Sequence, residues 1–135
     1  MADPQIVREW LRKAEEDFDF AESVLEDSPF HAQICFHFHQ AAEKYLKAFI
    51  VALDLEFQKI HDLPVLLKTC MVKAPDLKRL MDGCKVLNRY YIDARYPVHW
   101  PSKYDKDEVL KAESAAESIR DAIIEWLSSH LPQIP

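Results

Sequence analysis

Glycine is almost missing from this chain: Gly83 is the only one among 135 residues. Sheet proteins rich in tight turns need residues at positive φ, and glycine is the usual supply. Its scarcity therefore points to a few long helices. A Walker loop, a dinucleotide-binding G-x-G-x-x-G turn and a G-x-S-x-G elbow each need at least two glycines, so all three are excluded. Cysteine is also sparse. Cys35, Cys70 and Cys84 are an odd number, widely spaced and without a C-x-x-C pair, which speaks against a structural zinc site. Each falls in an apolar stretch and reads as a reduced core residue. Long uncharged runs are absent too. Ala48 to Leu53 is the best candidate, far short of the roughly 18 residues a membrane span requires. The opening Met-Ala-Asp-Pro carries no apolar signal segment, so a cytoplasmic protein is expected. Positive charge is in deficit as well: 17 Lys and Arg against 23 Asp and Glu give a net charge of −6. Duplex-DNA binders are normally basic, and this balance argues against one.

What is present is apolar periodicity. The apolar fraction of 49% is that of a globular domain, and the length suits one domain spanning residues 1–135. Eight prolines divide the chain, and between them the spacing is helical. Helix 1 is predicted from Pro4 to Glu26, with Val7, Leu11, Ala14, Phe18, Ala21 and Leu25 on one seam. Eight acids against three bases lie between Arg8 and Asp27, which reads as a solvated acidic face or as a dock for a basic partner. Helix 2 is predicted from Phe30 to Leu53 and is apolar over most of its circumference. Such a helix must be buried on several sides, which a small bundle rarely achieves alone, so a two-fold dimer is expected. Helix 3 is short, from Leu63 to Lys73. Helix 4 runs from Asp76 to Ala94, and Gly83 inside it implies close approach of another helix. Helix 5 runs from Asp105 to Leu131. The expected fold is an all-α, up-and-down bundle of about five helices, four long and one short.

Four polar features stand out. On helix 2 the steps of three and four put Gln40, Glu43, Lys44 and Lys47 on one face. They form either a surface Glu43–Lys47 ion pair or the wall of a polar pocket. Asp62, before Pro64, fits a helix cap against which His61 can orient. The segment Tyr90 to Pro101 is dense in aromatics and holds Arg95 and His99; Arg95 suits a helix C-terminus, and an Arg, a His and several aromatics also suit stacking a base and holding a phosphate. Lys78, Lys85 and Arg89 share a mixed, solvated face. No Glu-x-x-His and no H-E-x-x-H occurs, and His37 and His39 point to different helix faces, so no metal and no cofactor is expected.

Taken together, four segments resemble the HEPN domain family (higher eukaryotes and prokaryotes nucleotide-binding). They are Ala14-Glu15-Glu16-Asp17-Phe18 with Ala21; Cys35 and Gln40-Ala41-Ala42-Glu43-Lys44-Tyr45-Leu46-Lys47-Ala48; His61-Asp62-Leu63; and Ala94-Arg95-Tyr96-Pro97. An Ala-rich last helix follows. The resemblance implies a dimerising helical bundle in a bacterial or archaeal setting, often beside a small nucleotidyltransferase in a toxin–antitoxin-like pair. Some members are metal-independent ribonucleases whose Arg and His are separated by a longer spacer than the three residues, Tyr96 to Val98, between Arg95 and His99 here.

Three functions follow. The first is a nucleotide- or partner-binding module with a pocket of Lys44, Lys47, His61, Arg95 and Tyr96, in which Asp17 and Glu43 orient the cations. The second is a ribonuclease in which His99 deprotonates a ribose 2′-hydroxyl and Arg95 holds the phosphate. The third is a dimeric interaction protein whose acidic first helix docks a basic nucleotidyltransferase. The two non-catalytic readings stand ahead of the nuclease. No membrane partner is expected.

Overall fold

Capping side chains set most of the helix starts. Asp3 accepts a hydrogen bond from the Gln5 backbone N–H at 2.9 Å, and α1 follows from Pro4–Val24. The carboxylate of Asp62 accepts from Val65 N at 3.1 Å and opens α3, Leu63–Met71. Asp105 accepts from Glu108 N at 3.0 Å and opens α5, Lys106–His130. Between them lie α2, His31–Ala52, and α4, Met81–Arg95. The computed structural model describes residues 2–95 and 104–135, with Ala94 and Arg95 known by backbone alone. No strand occurs among the described residues, and no helix there is long and apolar enough to cross a membrane.

The end of α2 shows how a chain without spare glycine makes a helix stop. Asp54 takes a left-handed φ of 54°. Leu55 N donates to Ile50 O at 2.9 Å and Asp54 N to Val51 O at 3.2 Å, which is the Schellman pairing with Asp where glycine is usual.

Helix bounds differ from the sequence reading by a few residues at most ends. One difference is larger. Residues 75–80 form a 3₁₀ turn, Pro75–Leu80, and only then does α4 begin. In a 3₁₀ turn residues three apart eclipse, so Leu77 and Leu80 both enter the core.

Helix α2 is the central element. α1, α3, α4 and α5 all pack against it, and 14 of its 22 residues are buried within the single chain. This corrects the reasoning from its apolarity: four neighbouring helices in one chain already cover it, so no second copy is needed for burial. Gly83 of α4 faces Ala115 of α5, and a Cβ placed there would lie 3.3 Å from the Ala115 Cβ. The expected close helix approach is therefore between α4 and α5. Cys35, Cys70 and Cys84 are buried free thiols. Burial pushes each up to about 12, which makes them poor nucleophiles.

Candidate functional site

The polar stripe of α2 divides. Its residues leave the helix in two directions and meet different partners. Towards α1, Lys44 pairs with Asp17, and His37 Nδ1 lies 3.5 Å from the same carboxylate. Burial alone would raise the Asp17 pKa, but the contacts with His37 and Lys44 outweigh it and hold the carboxyl below its ordinary value. On the other side, Glu43 Oε2 accepts from Lys47 Nζ at 2.9 Å, and His61 Nδ1 lies 3.0 and 3.1 Å from the two Glu43 oxygens. No hydrogen bond or ion pair among the described residues joins the two sets. The acids expected beside these cations are thus paired as Asp17 with Lys44 and Glu43 with Lys47.

The Glu43–Lys47 pair is not the surface ion pair considered above. Its side chains are only 8% and 7% exposed. The cost of desolvating two charges is met here by their mutual attraction and by added partners. Lys47 Nζ lies 5.7 Å from the centroid of the Phe57 ring, which covers it. Phe57 in turn packs on Trp10 of α1, centroid to centroid 5.7 Å. The segment between α2 and α3 thus seals the lysine from water.

His61 is the one member of this group that reaches solvent, at 46% side-chain exposure. Its backbone carbonyl receives His39 Nε2 at 3.2 Å, and the next-but-one amide, Leu63 N, donates to Asn88 Oδ1 of α4 at 3.1 Å. The Tyr91 ring contacts both imidazoles, His61 at 5.0 Å and His39 at 5.3 Å between centroids. Burial lowers the pKa of His39, which is fully enclosed; a neutral ring can donate from Nε2 alone, as its bond to the His61 carbonyl requires.

His39, Asn88 and Tyr91 were missed as members of this cluster. The signal for His39 was its place four residues before Glu43, on the same helix face. Nothing local foretold Asn88, and Tyr91 stood out only as part of the aromatic segment Tyr90 to Pro101, because both meet His61 from α4. Arg95 ends α4, one helical turn beyond Tyr91. Its side chain, Tyr96 and His99 lie outside the described residues. Among those described, no group of three or more His, Cys, Asp and Glu is arranged to hold a metal ion.

The geometry and the four resembling segments now meet a direct comparison: residues 7–127 match the family model of the HEPN domain. The chain belongs to the HEPN domain family. This HEPN domain is also similar to a solved structure, that of TT1696 from Thermus thermophilus. The TM-score is 0.73 at 28% sequence identity, covering 88% of this chain and 96% of that one. No curated protein matches the chain. The HEPN assignment accounts for the all-helical bundle and for the near full-length reach of the domain.

Proposed function

We propose that this HEPN domain is a nucleotide-binding module whose site is the face where Glu43, Lys47 and His61 meet Tyr91. The observation that carries the reading is a buried carboxylate–ammonium–imidazole network that opens to water only at His61, beside an aromatic ring. Purely structural ion pairs gain little from such burial, whereas a held imidazole next to a ring suits a phosphate and a base. The sequence reading adds Arg95 and Tyr96 to the same site, and the Arg95 backbone lies one turn along α4 from Tyr91. Calorimetric titration with AMP, ATP and a short RNA tests it. Saturable heat with the parent, weakened at least tenfold by His61→Ala, is the expected result. No heat from any of the three at millimolar concentration would overturn it.

A second reading has its own observation. Carboxylates of α1 and α5 crowd together: Glu113 is pushed up to about 7 by the adjoining Glu22 carboxyl, by partial burial, and by the charges of Glu22, Glu117 and Glu26. A basic partner would relieve that repulsion. We place here the docking of a small, basic nucleotidyltransferase in a toxin–antitoxin-like pair of cytoplasmic proteins, with this chain as a homodimer. Co-expression with the neighbour-encoded nucleotidyltransferase, followed by sizing with light scattering, decides it. A species of about 16 kDa that ignores the partner would sink both parts. The ribonuclease alternative rests on Arg95 and His99; it predicts metal-free cleavage of RNA that His99→Ala abolishes.

A further inference from the structure

His61 combines two properties that rarely occur together on a surface side chain. Its outer edge is in water, yet it is held from several directions. The backbone at residues 61–63 is clamped to α2 through His39 Nε2 and the His61 carbonyl, 3.2 Å, and to α4 through Asn88 Oδ1 and Leu63 N, 3.1 Å. Asp62 caps α3 and holds the same turn from the other side. The ring itself is steadied by Tyr91, 5.0 Å away at 31°. Its inner nitrogen faces both oxygens of a carboxylate that is almost wholly buried.

A carboxylate can only accept, so Nδ1 must carry the proton of that hydrogen bond. This fixes the tautomer. The proton of a neutral ring is then directed inward to Glu43, and Nε2 is left with its lone pair toward solvent. Lys47 completes the arrangement by donating to Glu43 Oε2 at 2.9 Å from the buried side. Among the described residues nothing else bonds Nε2.

We infer that His61 Nε2 is a point at which this site touches its ligand, and that Glu43 and Lys47 are positioning residues that never reach it. The lysines expected to hold a phosphate are both occupied: Lys44 by Asp17, and Lys47 by Glu43 under Phe57. Of the described residues Glu43, Lys44, Lys47 and His61, that leaves the solvent-facing nitrogen of His61 open to a ligand. It accepts from a ribose hydroxyl when the ring is neutral and donates to a phosphate oxygen when the ring holds a second proton. The inference rests on the nucleotide-binding reading for its ligand, but not for its claim about the tautomer.

Two measurements on the full chain test it. The first is the nitrogen-15 spectrum of the histidine side chains in the free protein. His61 is expected to show a protonated Nδ1 and a bare Nε2, and Glu43→Gln is expected to erase that preference. A neutral His61 ring with its proton on Nε2 and none on Nδ1 overturns the inference whatever the protein binds. The second is calorimetry with AMP and with inorganic pyrophosphate, comparing the parent with His61→Asn. Asparagine keeps an amide donor for Glu43 but has nothing in place of Nε2. At least tenfold weaker binding with an unchanged melting temperature is expected. Equal losses for both probes put a phosphate on His61, and a loss for AMP alone puts the ribose there. Unchanged affinity in His61→Asn overturns this inference and leaves the nucleotide-binding reading standing. Failure of the parent to bind either probe, with ATP and the short RNA equally silent, overturns the reading itself.

Discussion

The buried pair on α2 invites a double-mutant cycle. Glu43→Leu leaves the Lys47 ammonium, 7% exposed, without its carboxylate; Lys47→Met leaves Glu43, 8% exposed, with only His61. Removing one member of a buried pair costs about 3–5 kcal/mol, because a charge stays desolvated without compensation. The lysine is the worse case. Its neighbour on the far side is the Phe57 ring, and a cation–π contact offsets only about 1–2 kcal/mol of that loss. A domain of this size has about 5–15 kcal/mol of total stability, so Glu43→Leu should remove about a fifth of it or more. With a urea m-value of about 1.5 kcal/mol/M, a loss of about 3 kcal/mol lowers the midpoint by about 2 M. The double variant Glu43→Leu/Lys47→Met replaces both charges with apolar groups of similar volume. It should lie within about 1 kcal/mol of the parent, a coupling above about 2 kcal/mol. Urea unfolding followed by far-ultraviolet circular dichroism measures all four proteins. If the two single losses simply add in the double variant, the pair is solvated in solution and the reasoning fails.

Three further outcomes follow from the same structure. Burial lowers the His39 pKa, so the unfolded ring binds a proton that the folded ring refuses. Stability on this account is intact above the ordinary imidazole value of about 6.5 and falls below it by up to about 1.4 kcal/mol per pH unit. His39→Phe should flatten that acid limb in chemical denaturation at pH 7.5 and 5.5, and an identical slope in parent and variant would refute the assignment. Glu113 carries the opposite sign: its folded carboxyl titrates near 7 against an ordinary 4.5, so its repulsion weighs on the fold above pH 7 and fades between 7 and 4.5. Glu113→Gln should raise the melting temperature at pH 8 and do little at pH 4.5; a uniform effect across that range would argue against the carboxylate cluster. Gly83 touches Ala115 with no room for branching. Gly83→Val should cost about 1–3 kcal/mol through overpacking of α4 on α5, and a variant as stable as the parent would show that the helices part easily.

Much of the fold was legible because helical periodicity is a local signal. Val7, Ala14, Phe18 and Ala21 announce the buried seam of α1 by their spacing alone, and Asp3, Asp62 and Asp105 announce helix starts by residue type. The 3₁₀ turn at Pro75–Leu80 was not legible, because Leu77 and Leu80 at a spacing of three satisfy both helix types. The dimer expected from α2 shows the limit more clearly. Apolarity all round a helix states that it is covered and leaves open by what.

The site divides in the same way. Sequence by itself determined that Glu43 and Lys47 share a helix face, because a spacing of four guarantees it, and that Asp62 would start a helix beside His61. It also determined, through the resembling segments, the HEPN family to which residues 7–127 belong. Only the tertiary structure decided that the pair is sealed under Phe57, that Lys44 turns away to Asp17, and that His61 keeps one nitrogen on Glu43 while its outer edge stays in water. The reason is physical. Burial and charge pairing across α1, α2, α4 and the segment before α3 depend on distances between residues remote in the chain, and no local pattern carries those distances.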